Sequence, residues 1–126
     1  MSIECVSYIT LEVAEAEVIT SDRFVKLGAT GAEQCDTAGE VAHAIAVDSS
    51  TNKSSRAITV IDLQGGGVAE VTAGAAIAIG DLVATNAEGK AVEATGNARV
   101  LGTAKSAAAG DGDIFQMFLG SSGLAS

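Results

Sequence analysis

Two stretches of this chain repeat one another, and nothing else in the sequence constrains its fold as tightly. Residues 19–25 read Ile-Thr-Ser-Asp-Arg-Phe-Val and residues 77–83 read Ile-Ala-Ile-Gly-Asp-Leu-Val. Ile19 matches Ile77, Phe24 matches Leu82 and Val25 matches Val83, each 58 positions apart, and Gly31 matches Gly89 at the same spacing. Ile45-Ala46-Val47 then aligns with Leu101-Gly102-Thr103, and Ile58 through Leu63 aligns with Ile114 through Leu119 at a spacing of 56. A two-residue difference in a loop reconciles the spacings. The expectation is one unit built twice, over 19–63 and 77–119.

The unit reads as β. Ile3, Cys5, Ser7, Ile9, Leu11 and Val13 alternate with Glu4, Val6, Tyr8, Thr10 and Glu12, a period of two rich in β-branched residues. Alanine is abundant, yet glycine interrupts nearly every helical candidate, and Val, Ile and Thr fill the segments between turns. Ala14–Glu17 is compatible with a helical turn, and Gly39–Ile45 with a short helix or a strand. Asn86-Ala87-Glu88-Gly89-Lys90 is a hairpin turn, since Asn and Gly tolerate left-handed backbone. Gln64-Gly65-Gly66-Gly67 closes the first half, and 48–55 and 109–113 are polar loops. At Gly80-Asp81 the glycine suits positive φ at a tight corner, and the aspartate suits accepting backbone N–H bonds across it.

The fold expected is therefore all-β. It is a compact β-barrel or β-clip of two similar halves over 17–120, with an extended N-terminal arm at 1–16 and a flexible tail at 121–126. The chain has no proline, so its edge strands need charge, bulges or a partner to guard them.

Composition narrows the function classes. One domain accounts for 126 residues. Apolar residues make up 48%, but aromatics only 3%. A core of small side chains buries less area each, at about 25 cal/mol per Å², which favours oligomerisation or docking on a larger body. The formal charge is −9. Residues 1–22 hold Glu4, Glu12, Glu15, Glu17 and Asp22 without a single Lys or Arg. Such a surface repels phosphate backbones and offers bases no stacking platform, so nucleic acid is not expected as a partner. No segment has the form of a signal peptide or a bilayer-spanning run, so the expectation is synthesis in a cytoplasm and no membrane.

The residues that catalysis or metal binding needs do not converge. His43 is the one histidine and lies in an apolar run. Cys35 and His43 could in principle pair as nucleophile and base, but nothing local supports it. Cys5 and Cys35 read as buried thiols, with a disulfide or metal pair as the other possibility. No Cys-x-x-Cys, His-Glu-x-x-His or Walker loop is present. Gly65-Gly66-Gly67 could line a phosphate, and Asp111-Gly112-Asp113 could touch calcium, but an EF-hand needs more oxygens and a distal Glu. The reading is of a non-enzyme with no cofactor and no structural metal.

Val68 through Val83, with its Ile-x-x-Gly-Asp-x-Val turn at 77–83, is the most characteristic stretch. Together with Gly89-Lys90-Ala91-Val92 and Val100-Leu101-Gly102-Thr103-Ala104, it resembles the small capsid cement or head-decoration proteins of tailed bacteriophages that carry a repeated β unit. Phe24 through Gly28 and Ala44 through Val47 fit the same layout, so the resemblance spans 17–119. Asp22-Arg23 departs from it where the second copy has Gly80-Asp81, and 48–56 is an insertion. The resemblance implies a virion protein on the outer capsid surface, bound to the major capsid protein, trimeric, and effective through many modest contacts per shell. The alternatives are a β-clip module for a small molecule or carbohydrate, and a tail component.

Residues 2–13 lie outside both repeats as aligned above. They are expected to grip a partner by strand addition to a capsid subunit or a neighbour, through Ile3, Val6, Tyr8 and Ile9, with Tyr8 as anchor. The competing reading makes them the first strand of the protein's own sheet.

Overall fold

The structure, a computed structural model, describes residues 6–14, 17–50 and 57–124, with side chains through 120. It is all-β and built from two similar halves. The first half holds β1 (Tyr8–Glu12), β2 (Phe24–Leu27), β3 (Ala32–Gln34), β4 (Ala44–Ala46) and β5 (Ala57–Asp62). The second holds β6 (Val68–Thr72), β7 (Leu82–Thr85), β8 (Ala91–Glu93), β9 (Arg99–Ala104) and β10 (Ile114–Leu124). A 3-10 turn over Leu63–Gly65 follows β5.

The halves share one topology. The first sheet runs β1-β5-β4-β2-β3 and the second β6-β10-β9-β7-β8, all antiparallel. Each sheet curls until its ends meet. Just past β1, Val13 forms a parallel bridge to Ala32, and Ala73 bridges Ala91 in the same way. Ala14 N–H donates to Ala32 O at 2.9 Å, and Gly74 N–H to Ala91 O at 2.8 Å. The two halves are thus two similar curled five-stranded sheets packed side by side.

Strand alternation sorts side chains to the inside or outside of each curl. Inside the first lie Val13, Ile19, Val25, Ala32, Ala44, Ala46, Ile58 and Val60, all buried. Outside it lie Phe24, Cys35, Ile45 and Ile61, which join a larger shared core with Val71, Val83, Phe115 and Met117 of the second half. The second half therefore fills its own interior and also receives the outer face of the first.

Ile45 corresponds in the ladders to Thr103 and Ala44 to Gly102, not Ile45 to Leu101 as the sequence alignment has it, and the ladders correct three further expectations. The first concerns register. Ile58 opposes Leu11, and its counterpart opposite Val71 is Phe115, not Ile114. Ile58 and Phe115 are buried, while Ile114 is exposed. A one-residue slip turns every side chain to the other face, so burial decides between the two alignments. The second concerns the N-terminus. Residues 8–12 are not a free arm but β1, the counterpart of β6, so each half starts one strand earlier than the repeat suggested. Third, residues 121–124 are not a loose tail. β10 continues past an irregularity, with Gly123 opposite Val100 and Leu124 opposite Arg99.

Of Gly39–Ile45, only its end enters a strand, β4; the rest is loop. Within that loop, His43 N–H donates to Val25 O at 2.8 Å.

Candidate functional site

The repeat continues into the corners. Asp22 N–H donates to Ala46 O at 2.7 Å, and Gly80 N–H to Ala104 O at 2.9 Å. Asp22 has φ 61° and Gly80 φ 90°. Asp81 Oδ2 accepts from Ala78 N–H at 2.9 Å. Ile19 and Ile77 are held alike. Ile77 exchanges two backbone bonds with Ala108, at 3.0 and 2.9 Å. Ile19 accepts from Ser50 N–H at 2.9 Å and donates to Ser50 Oγ at 2.9 Å. A serine hydroxyl thus takes the place of a backbone carbonyl.

The seam between the halves is polar at its rim. Phe24 N–H donates to Gly89 O at 2.8 Å, Thr72 N–H to Asp22 O at 2.8 Å, and Gly39 N–H to Thr85 O at 2.9 Å. Gly89 has φ 75°, and a Cβ there would stand 3.0 Å from Gln34 Cγ and 3.3 Å from Phe24 O. Its hairpin is organised by Asn86 Oδ1, which accepts from Glu88 N–H and Lys90 N–H at 2.9 Å each. The glycine thus serves both the turn and the close approach of the first half. Burial, and then the nearby Glu70, push the Asp22 carboxyl above its ordinary range, with Arg23 acting in the opposite direction.

Among the described residues, the candidate chemical groups are engaged in structural contacts. Burial first, and then Glu40, push the Cys35 thiol up to about 12, so it is not a thiolate at neutral pH. His43 Nδ1 accepts from Leu27 N–H at 3.1 Å. Asp111 pairs with Lys90 at 2.8 Å, and Asp113 Oδ2 accepts from Ala109 N–H and Gly110 N–H at 2.9 and 3.3 Å. Gly66 and Gly67 take φ 74° and 96° in the link between halves, where Gly67 O accepts from Leu119 N–H at 2.8 Å. Lys26 pairs with Asp36 at 2.8 Å and Glu40 at 3.0 Å. These bonds hold the Asp36 carboxyl below its ordinary value and raise the lysine. Among the described residues no group of three or more His, Cys, Asp or Glu could hold a metal.

A cleft of about 380 Å³ opens at the seam, lined by Ala38, Gly39, Ala84, Thr85, Val92, Glu93, Thr95, Asn97 and Ala98. It has one charged side chain and no aromatic, so it offers little to orient a small ligand.

The surface itself is the better candidate. Tyr8 and Ile9 on β1 are exposed. Val6 is half-buried and packs against the shared core, so it faces its own protein. Ile3 and Cys5 lie outside the described residues. Leu27, Val41, Leu82, Ile114 and Phe118 are exposed too, and the sequence reading named none of them as contacts. Consecutive apolar residues such as Leu82-Val83 and Ile114-Phe115 were the available signal, since only one of each pair can face inward.

No protein-family model matches the chain, and no curated protein matches it. Among solved structures it is similar to the head fiber gp8.5 N base of bacteriophage phi29, with a TM-score of 0.68 at 20% identity, covering 95% of this chain and 100% of that one.

Proposed function

We propose that this chain is a non-enzymatic structural protein of a phage virion that decorates the outer surface of the head. It binds the major capsid protein there as a homotrimer and cements the shell. The observation that carries the reading is the likeness of fold, over the whole length of the neighbour, to a module described as the base of a phage head fiber. A net charge of −9 and a seam cleft without convergent polar groups fit a protein whose task is to bind rather than react. The head location stems from the neighbour's description and from the repeated β unit with its Gly80-Asp81 corner.

β1 supplies a partner contact through Tyr8 and Ile9, as expected of that segment, but does so from within its own sheet. Over Tyr8–Glu12, β1 pairs only with β5, and the ends of the sheet join beyond it, at Val13 and Ala14. A second role on the same head, as the attachment base of a longer fibre, is favoured by the neighbour's description.

The test is a binding assay with purified protein and expanded capsids that lack their own decoration. The reading expects saturable binding, with a stoichiometry set by the shell's symmetry and a higher disruption temperature for decorated shells. Absence of binding to shells, with binding to isolated tails, would reverse the location.

A further inference from the structure

Nine large apolar side chains are exposed among the described residues. Five of them stand where the other half buries its counterpart. Leu82 and Phe118, 44% and 49% exposed, are the ladder equivalents of Phe24 and Ile61, at 0% and 2%. They lie outside the second sheet, where Phe24 and Ile61 lie outside the first. The first half's outer face is buried in the shared core, and the second half's is bare.

The converse holds on the receiving side. Ile9 and Leu27, 43% and 53% exposed on the inner side of the first curl, are the equivalents of Ala69 and Thr85, at 0% and 1%; Tyr8, the exposed equivalent of the buried Val68, stands beside Ile61 and points outward. Ala69 belongs to the shared core, and Thr85 O accepts from Gly39 N–H of the first half. The contact between halves is therefore head-to-tail. It uses the outside of one unit and a different surface of the next, and it leaves one uncovered surface of each kind.

We propose that a second copy of this chain covers these surfaces. Leu82 and Phe118 of one copy dock on Ile9 and Leu27 of the next, repeating between chains the contact that joins the two halves within one. The chain itself provides the precedent for the occupant, since among the described residues the outer face of the first half packs against the other copy of the unit. A head-to-tail contact closes as a ring or runs on as a filament. Three copies would close as a ring of six units. The inference deepens the self-assembly part of the reading above and does not depend on attachment to a head.

Two surface variants of the full chain test it, Leu82→Glu/Phe118→Glu on one face and Ile9→Lys/Leu27→Glu on the other. All four positions are exposed, and circular dichroism checks that each variant is folded. Sedimentation velocity on the parent chain at tens of micromolar should show a closed oligomer, and each variant alone should be monomeric. An equimolar mixture of the two variants should give a heterodimer and nothing larger, because each retains the face that the other has lost. A parent chain that is monomeric up to millimolar concentration overturns the proposal, as does an oligomer that survives either pair of substitutions or a mixture that stays monomeric. A monomer that still binds capsids would refute this inference alone; an oligomer that ignores capsids would refute only the head location.

Discussion

Asp22 and Gly80 occupy one corner built twice, each with positive φ and each donating its N–H to the adjacent strand, at Ala46 O of β4 and Ala104 O of β9. The first copy places a side chain where the second has none. Aspartate is among the few residues that tolerate this backbone, which is how the corner survives without its glycine.

Asp22→Gly should therefore keep or raise stability, by up to about 1 kcal/mol, and Asp22→Ala should lower it by a similar amount. Thermal melts of the two variants check this. Asp22→Asn separates charge from backbone. The folded state raises the Asp22 pKa, chiefly by burial. The stabilisation from its protonated form is thus fully present below the ordinary value of 3.8 and is lost as pH rises through the folded pKa. Asn should accordingly stabilise at pH 7 and lose that advantage in acid.

The register of the second half predicts an ordering of core truncations. Phe115→Ala should cost about 3–5 kcal/mol and Ile58→Ala about 2–5 kcal/mol. Ile114→Ala, on the exposed neighbour, should stay within about 0.5 kcal/mol. Denaturant unfolding of the three variants checks it. A large loss at Ile114 would restore the alignment by identity.

Gly102 is the ladder equivalent of Ala44, yet it cannot accept the same methyl. A Cβ at Gly102 would collide with Met117 Cε and the Phe118 carbonyl. Gly102→Ala should cost about 1–3 kcal/mol. Gly110→Ala, with nothing within 4 Å of its Cβ, should be near neutral by the same denaturant assay.

Cys35 should be inert to thiol reagents in the native state. With a pKa of about 12, roughly one thiol in ten thousand is ionised at pH 8, and the side chain is buried as well. In a Cys5→Ser background, Ellman's reagent should report no free thiol until denaturant unfolds the chain, and one thereafter.

The duplicated β architecture was legible because Val25 and Val83 are identical and sit in like surroundings, with Ile19 and Ile77 likewise. The register near Ile58 was not, because matching isoleucine to isoleucine overrode the alternation of Phe115, Met117 and Leu119, which face inward together. β1 went unrecognised as part of the repeat because it shares no residue with β6 at the paired positions and sits 60 positions away rather than 58. Of the expected contacts, Tyr8 and Ile9 are on the surface, whereas Val6 packs inward. Leu82 and Phe118 were missed because exposure outside a curled sheet depends on which half covers which, and local sequence does not encode that.

The central claim is a place on the outside of a phage head. Cryo-electron microscopy of the particle that carries this chain tests it most directly. The account predicts density on the outer shell, at local symmetry axes, into which the two curled sheets fit as a ring of copies contacting the major capsid protein. Density for the same fold in the tail, or a shell bare of it while the protein is present in the particle, would contradict the account.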